Sequence, residues 1–375
     1  MNSQSTLGRE FDTTPTFINW KPYDQNIKNT VTQFKYVVFF GCGAIFASIV
    51  ETWHETIGKK IDFCSDNNPA KWGQYFCNVP CISPAELATI KEECVVFLTI
   101  GNFIPAYDQL LKAGIKNIHL IYKYDLEAAI YIRSSDSKHL GHLANSARKL
   151  MADEQSLKIF DAILDRSSGT NKSIDLMAEI YEPAQYFPPD IIQLSDHESF
   201  VDVGAYDGDT ILQFLQASKN KFNQIHGFEL DQSNFIKLKD TIDQNSNKNS
   251  ISVYNMGAWD SNGIISYQPG LTQSTIGKGV SSGSVVRLDD ILNEKDVTYI
   301  KMDIEGAEIN ALNGAEKIIR QSKPKLAICI YHHISHLWEI PLLIHKMLPE
   351  HHIYLRHHTR LEYETVCYAI PCTRN

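Results

Sequence analysis

The stretch IKMDIEGAEI, residues 300–309, places three carboxylates where a strand pattern changes into a helix pattern. Asp303 and Glu305 follow the apolar run directly, and Glu308 comes one helical turn later. Because ligands of open parallel sheets bind over the carboxyl ends of the strands, we predict that Asp303 and Glu305 line a reaction site. Gly306 would permit the tight corner, and the helix dipole would favour Glu308. The alternative is that the carboxylates only cap the helix.

Two histidines end a further strand pattern, CIYHH, at residues 329–333. His332 and His333 would face the same edge, where a neutral imidazole could take a proton from a hydroxyl nucleophile. Eight of the fourteen histidines lie between His332 and His358, so the alternative is that these two are ordinary surface residues. Asp303 and the histidines could also hold a divalent cation, but acids are few and we expect no metal.

The stretch FVDVGAYDGDT, residues 200–210, has the layout of a nucleotide-binding strand and turn, with a helix beginning near Thr210. Its glycines would let a ligand approach the backbone. The carboxylates of Asp207 and Asp209 would, however, repel the pyrophosphate of a dinucleotide. S-adenosylmethionine fits better, because it carries an ammonium and a sulfonium and has no phosphate.

The ends of the next two strand patterns supply the other candidate cofactor residues. In HGFELD, Glu229 is placed to accept the hydroxyls of a ribose, with Leu230 beside it. In SVYNMGAWD, Ala258 and Trp259 could frame an adenine. The predicted cofactor-binding residues are Asp202, Gly204, Ala205, Tyr206, Asp207, Gly208, Glu229, Leu230, Ala258, Trp259 and Asp303. The predicted catalytic residues are Asp303, Glu305, His332 and His333.

Two alternating series of strand and helix patterns would position these residues. The first contains KYVVFFG, KIDFCSD, CVVFLTIG and NIHLIY, with helices from Ala44 and near Pro105 to Ala113. The second contains SFVDVGA, QIHGFEL, SVYNMGAW, VTYIKMDI and KLAICIYHH, and closes with HIYLRHH and ETVCYAIP, which lie too close in sequence to be parallel. We predict an α/β fold with two Rossmann-like domains, residues 30–124 and 181–375, joined by a helical connector over residues 125–180.

Composition narrows the classes of function. With 375 residues, 43% of them hydrophobic, the chain can form two cores. Acidic residues outnumber basic ones by 44 to 35 and no basic block is present, so we expect no nucleic-acid partner. No apolar stretch is long enough for a membrane span, and no secretory signal is visible, so we expect a cytoplasmic protein. The eight cysteines form no C-x-x-C pair, which favours reduced, mostly buried thiols.

Taken together, five stretches resemble the FkbM family of S-adenosylmethionine-dependent methyltransferases. They are QYFPPDI, FVDVGAYDGDT, HGFELD, RLDDIL and YIKMDIEGAEINALNGAEKII, and the resemblance covers residues 180–371. It implies a class I methyltransferase sheet with a reversed final strand, and methyl transfer to an oxygen of a sugar or polyketide. It also implies that Asp202, Gly204, Ala205, Tyr206, Glu229 and Asp303 are cofactor or active-site positions. The family's fifth strand often ends in an acid, and here YHH leaves the base open.

The N-terminal half has a glycine turn of its own, with Gly41 and Gly43 after a strand and Phe46 where a dinucleotide fingerprint has a third glycine. The stretch from residue 62, DFCSDNNPAKWG, resembles the nucleotide-sugar-binding domain of bacterial sugar acetyltransferases, which implies that Asp66 lies near a ribose or uridine. The alternative is a degenerate Rossmann domain that only packs or forms a homodimer.

The sequence therefore predicts an S-adenosylmethionine-dependent O-methyltransferase that acts on a hydroxyl of a sugar, glycan or related metabolite. One alternative is an NAD-dependent oxidoreductase or epimerase that uses the first glycine turn. Another is a non-catalytic nucleotide-sugar-binding protein.

Overall fold

The computed structural model describes residues 23–101, 103–121, 123–167, 179–268, 275–276, 281–292, 296–359 and 363–372. Its three sheets have six, four and seven strands. The helices are α1 Tyr23–Val31, α2 Ala44–Thr56, α3 Pro84–Thr89, α4 Ile104–Lys112, α5 Lys123–Ser134, α6 Ser137–Arg148, α7 Glu154–Ser167, α8 Asp209–Ala217, α9 Gln232–Asp243, α10 Leu288–Ile291, α11 Glu308–Gly314, α12 Glu316–Ser322 and α13 His336–Met347. The strands are β1 Tyr36–Phe40, β2 Phe63–Ser65, β3 Tyr75–Phe76, β4 Val79–Ile82, β5 Cys94–Leu98, β6 Ile118–Leu120, β7 Ser199–Val203, β8 Gln224–Phe228, β9 Ile251–Tyr254, β10 Gly257–Ala258, β11 Gly263–Gln268, β12 Thr275–Ile276, β13 Ser281–Val286, β14 Tyr299–Met302, β15 Lys325–Cys329, β16 His351–His357 and β17 Thr365–Pro371.

The seven-stranded sheet has the order β16-β17-β15-β14-β7-β8-β9. The five strands from β15 to β9 in this order are parallel, while β17 is antiparallel to both β15 and β16. All five residues of β7 are buried, as expected for a parallel strand covered on both faces. The predicted parallel sheet with an antiparallel hairpin at its end is thus confirmed.

The six-stranded sheet has the order β3-β4-β2-β1-β5-β6, and the pairs along β4, β2, β1, β5 and β6 are parallel. Alternate residues of β1 enter opposite cores, with Val37 and Phe39 on one face and Val38 and Phe40 on the other. This alternation follows from the two-residue period of a strand. A second Rossmann-like sheet is therefore present in the N-terminal half, as predicted. Strands β3 and β4, which pair antiparallel at one side of this sheet, are additions that the sequence patterns did not indicate.

The helices α5, α6 and α7 lie between the two large sheets in the sequence. Helix α5 places Leu126 and Ala129 in the N-terminal core, and Ala128 and Ile132 in the core of the seven-stranded sheet. Helix α5 therefore contributes buried side chains to both cores. The helical character predicted for residues 125–180 agrees with the described part of this segment, and the proposed domain boundaries stay predictions.

The third strand of the second series ends earlier than its sequence pattern predicted. Strand β9 stops at Tyr254, and Gly257–Ala258 leave the large sheet to pair with β13 in the four-stranded sheet β10-β13-β11-β12. The pattern SVYNMGAW is strand-like throughout, so it did not predict that the segment pairs with two different sheets. The alternation of apolar and polar residues does not indicate which strand a segment pairs with. The small sheet adds a wall beside the carboxyl ends of the parallel strands.

All eight cysteines are free, six of them buried. Cys42, Cys64 and Cys81 lie together in the N-terminal core, with 3.6 Å between the Sγ atoms of Cys42 and Cys81. No described helix is both long enough and apolar enough to cross a membrane.

Candidate functional site

A cavity of about 270 Å³ lies at the carboxyl ends of β7, β8 and β14, against the small four-stranded sheet. This is the edge at which open parallel sheets bind ligands. Eight residues that the sequence singled out line its wall, namely Gly204, Tyr206, Glu229, Leu230, Ala258, Trp259, Asp303 and Glu305. They come from four separate stretches of the chain, and the parallel register of the sheet brings them together.

The other predicted residues are not in the cavity wall. Ala205 is fully buried, and Gly208 is the left-handed residue that precedes α8. Asp207 lies outside the wall, whereas Asp209, in the first turn of α8, belongs to it. His332 and His333 lie behind the wall.

Asp303 is fixed by two tyrosines. The hydroxyl of Tyr186 donates to Oδ2 at 2.9 Å, and the hydroxyl of Tyr331 donates to Oδ1 at 3.0 Å. Tyr186 is held in turn by a hydrogen bond from its backbone N–H to the hydroxyl of Tyr368, at 3.0 Å. Neither oxygen of Asp303 is free to reorient, so this carboxylate presents a preorganised face to the cavity.

His332 is surrounded by carboxylates. Its Nδ1 lies 3.0 Å from Oε1 of Glu308, and its Nε2 lies 3.4 Å from Oδ1 of Asp303 and 3.4 Å from Oε2 of Glu305. Burial lowers the pKa of the imidazole, but the charges of Glu308, Asp303 and Glu305 outweigh it and raise the pKa to about 10. At neutral pH His332 is therefore an imidazolium. This environment stabilises the cationic form of His332. It therefore favours a role for His332 in holding the three carboxylates in place over a role as a neutral base.

His333 faces away from the cavity and towards the helical connector. Its Nδ1 shares a hydrogen bond of 2.8 Å with the hydroxyl of Ser335, and its ring packs edge-on against Tyr131 of α5 at 4.8 Å between centroids. Burial lowers the pKa of His333. The structure thus gives this histidine a packing role between α5 and the loop after β15.

Glu308 closes the corner that follows β14. Its Oε1 accepts the N–H of Ile304 at 2.9 Å, and α11 begins at Glu308 itself. The imidazolium of His332 outweighs the effect of burial and lowers the pKa of Glu308 to about 2. Glu308 therefore supports the corner before α11 and makes no side-chain cap to that helix, while Asp303 and Glu305 face the cavity. Gly306, at φ +98°, provides the expected tight corner.

A buried ion pair joins Lys301, in the cavity wall, to Asp202, which lies outside that wall. The Nζ of Lys301 is 2.9 Å from Oδ1 of Asp202, and it also donates to the carbonyl of Gly204 at 2.8 Å. Asp202 and Lys301 face each other in the β7–β14 register, so strand pairing places them side by side. Burial raises the pKa of Asp202 to about 6 even though Lys301 opposes the shift. The sequence analysis missed Lys301, although a lysine within an otherwise apolar buried strand is itself a signal of a partner.

Glu229 follows β8, and Asp303 follows β14, on the other side of β7. Its Oε2 accepts the N–H of Tyr206 at 2.9 Å, and its Oε1 accepts the N–H of Asp231 at 2.8 Å. Burial raises the pKa of Glu229 to about 7. Each oxygen keeps a second lone pair, so the carboxylate can still accept two hydroxyl donors.

Four non-glycine residues of the cavity wall adopt positive φ angles, namely Tyr186 at +63°, Tyr206 at +48°, Glu305 at +56° and Glu364 at +66°. Such conformations cost free energy and concentrate at functional sites. Tyr186 and Glu364 were not among the predicted site residues. Tyr186 lies in the stretch QYFPPDI, and no sequence signal distinguished Glu364.

In the N-terminal half, the Asp66 side chain hydrogen-bonds to the glycine turn at residues 41–43. Its Oδ2 accepts the N–H of Cys42, between Gly41 and Gly43, at 3.0 Å and pairs with the Nζ of Lys71 at 2.6 Å. Lys71 and two backbone N–H groups outweigh burial and lower the pKa of Asp66. Asp66 therefore lies beside Gly41 and Gly43, and its carboxylate already has partners within the protein. Its position near a ribose or uridine stays a prediction.

Residues 202–360 match a family model described as a methyltransferase FkbM domain. The matched range contains the glycine turn, Glu229, Asp303 and His332. This part of the chain, less than half of its length, is similar to the methyltransferase FkbM domain. The matched range supplies most of the cavity wall, while Gln185, Tyr186 and Glu364 come from outside it.

One of three solved structures compared with the chain supports this fold. A methyltransferase FkbM from Methylobacillus flagellatus KT aligns with a TM-score of 0.74 and 24% identity over 95% of each chain. A putative rRNA methylase from Clostridium thermocellum aligns at a TM-score of 0.33 and 8% identity, over 53% of this chain and 94% of its own. TrmK from M. capricolum, solved with S-adenosyl-homocysteine, aligns at a TM-score of 0.29 and 9% identity, over 54% of this chain and 68% of its own. The last two scores are too low to support a conclusion. No curated protein matches the chain.

Proposed function

We propose that the domain transfers a methyl group from S-adenosylmethionine to a hydroxyl oxygen of a sugar, glycan or related metabolite. The charge of the cavity carries this proposal. Five carboxylates line the described wall, from Asp209, Glu229, Asp303, Glu305 and Glu364, against a single cationic side chain, Lys301. A ligand that brings a sulfonium and an ammonium gains attraction there, whereas a pyrophosphate would be repelled. The family match likewise favours methyl transfer over the NAD-dependent alternative.

The wall residues divide between binding and reaction. Glu229 would accept the ribose hydroxyls, and Leu230, Ala258 and Trp259 would frame the adenine. Bound S-adenosylmethionine would supply an electrophilic methyl group. Asp303, held by its two tyrosine donors, would orient the groups at the reacting end. Such a displacement gains chiefly from positioning of the two reacting groups.

The acceptor hydroxyl would belong to a neutral part of its molecule. A phosphate or carboxylate next to that hydroxyl would meet Asp303, Glu305 and Glu364 at close range.

Three further expectations stay predictions from the sequence. They are a nucleotide-sugar ligand at Gly41, Gly43 and Asp66, a homodimer, and a cytoplasmic location.

Calorimetric titration with S-adenosylmethionine and S-adenosylhomocysteine tests the proposal. We expect the wild-type protein to bind both with dissociation constants below about 1 mM. Glu229→Gln should weaken both by about 10-fold or more, because it removes the charge that strengthens the ribose hydrogen bonds. The matched control is Glu316→Gln, at a half-exposed surface position, which should leave binding unchanged. Absence of binding heat at millimolar ligand, or preferential binding of NAD, would contradict the proposal.

A further inference from the structure

We propose that the carboxylate of Glu364 is the base that takes the proton from the acceptor hydroxyl. This inference rests on the proposed function. It assigns a role to a residue that lies outside the matched methyltransferase range of 202–360. It also names a base, whose identity the residues YHH after β15 left open. His332 is unsuited to that role because it already carries a proton at neutral pH.

Topology places Glu364 at the reacting end of the cavity. The residue immediately precedes β17, which runs antiparallel to β15, and β15 lies beside β14. The start of β17 therefore reaches the same edge as the end of β14, where Asp303 lies. A carboxylate oxygen of Glu364 comes within 4.8 Å of a carboxylate oxygen of Asp303 and of the Sγ of Cys329. Glu364 is also part of the cavity wall.

The local contacts fix the Glu364 side chain and leave one of its oxygens without a donor among the described residues. The backbone carbonyl of Glu364 accepts the N–H of His358 at 2.8 Å, which holds the residue at its positive φ. Gln185 donates its Nε2 hydrogen to Oε2 of Glu364. Among the described residues, no hydrogen-bond donor reaches Oε1. Oε1 can therefore accept the proton of a hydroxyl in the cavity.

The groups that face Glu364 come from several elements. Asp303 and Glu305 follow β14 and bring negative charge, while Lys301 of β14 and His332 after β15 bring positive charge. Tyr186, Tyr331 and Cys329 also lie within its electrostatic reach. Burial first, and the charge of Asp303 second, raise the pKa of Glu364 to about 7. A base with a pKa near the working pH is well matched to general-base catalysis.

The neighbouring acids are less suited to this task. Each oxygen of Asp303 already accepts a tyrosine hydroxyl, and Oε2 of Glu305 faces the imidazolium of His332. Two carboxylates at one site with different surroundings commonly divide the roles of fixed anion and proton carrier. Here Asp303 is the fixed anion and Glu364 the proton carrier.

The step balances with these groups alone and the methyl donor. The acceptor oxygen forms a bond to the methyl carbon while the carbon–sulfur bond breaks, and that bond's electron pair stays on sulfur. The hydroxyl proton moves to Oε1 of Glu364, which becomes a neutral acid. Its proton can later leave to water through the open side of the cavity.

The test uses two ligands that need no acceptor. Sinefungin carries a protonated amine where S-adenosylmethionine carries its methyl sulfonium, and S-adenosylhomocysteine carries neither. We expect wild-type protein to prefer sinefungin, and the preference to grow about 10-fold between pH 6 and pH 8 with a midpoint near 7, as Glu364 ionises. Glu364→Gln should reduce this growth and leave the affinity for S-adenosylhomocysteine within about twofold. The remaining growth would come from Glu305, because burial also raises the pKa of Glu305 to about 7. Glu364→Asp should restore part of it.

Two further variants keep the outcome interpretable. Gln185→Leu removes the donor that favours the charged form of Glu364, so the midpoint should move to higher pH. Glu316→Gln should behave as wild type. An unchanged sinefungin preference in Glu364→Gln would overturn the inference, and so would an equal loss of both ligands. If the wild-type protein binds neither ligand, the proposed function itself fails.

Discussion

Replacing Lys301 by methionine is expected to lower the free energy of unfolding by about 3–5 kcal/mol at pH 8, because it leaves the carboxylate of Asp202 buried without its cation. Asp202 is fully buried, and Lys301 lies 2.9 Å from it with 3% of its side chain exposed. Apart from Lys301, no described residue donates a hydrogen bond to either oxygen of Asp202. Urea denaturation followed by circular dichroism measures the effect.

The stability lost in Lys301→Met should increase with pH. The pKa of Asp202 is about 6 in the native protein and about 3.9 in an unfolded chain, so the native state binds its proton more readily. This contribution to stability is present below about pH 4 and is lost as the pH rises through 6. Without Lys301 the pKa of Asp202 rises further, so the decline continues above pH 6 at up to about 1.4 kcal/mol per pH unit. The gap between wild type and Lys301→Met therefore widens from pH 6 to pH 8.

Two controls accompany this experiment. Lys221→Met removes the lysine of an exposed pair with Asp196, at 2.9 Å, and should cost under about 1 kcal/mol with little pH dependence. Adding Asp202→Asn to Lys301→Met removes the buried charge and should recover part of the lost stability. A gap that narrows towards pH 8 would show that the pair does not act as described.

Gly204→Ala is the second substitution with a large expected effect, about 3–5 kcal/mol of destabilisation, for two physical reasons. Gly204 has φ +79°, which an alanine adopts only under strain. A Cβ at this position would also lie 1.9 Å from the backbone carbonyl oxygen of Asp303. A backbone atom cannot move away as a flexible side chain can, so the ends of β7 and β14 would have to separate.

Thermal and urea unfolding of Gly204→Ala check this expectation, and Gly263→Ala is the matched control. A Cβ on Gly263 would meet nothing within 4 Å, so that substitution should change stability by less than about 1 kcal/mol. Near-wild-type stability of Gly204→Ala would mean that the β7 and β14 ends are further apart than described. Since Gly204 and Asp303 both line the cavity, Gly204→Ala should also weaken S-adenosylhomocysteine binding.

The roles of individual residues were harder to predict than their location. His332 and His333 are neighbours in sequence, yet one is ringed by Asp303, Glu305 and Glu308 and the other packs on α5. Adjacent residues at the end of a strand point in different directions, and what each one meets is decided by other elements. Lys301 signalled a buried partner without identifying it, and Glu364 carried no signal of its own, because their partners lie 99 and 179 residues away, at Asp202 and Gln185.

The sequence by itself determined the two α/β sheets, the reversed final hairpin and the strand ends at which Gly204, Glu229 and Asp303 would meet. Those features follow from local patterns of apolar residues and glycines, which a single chain displays directly. Only the tertiary structure decided which acids face the cavity, which one supports the corner after β14 and which histidine is charged. Burial and neighbouring charge set these properties, and both arise only when distant segments pack together.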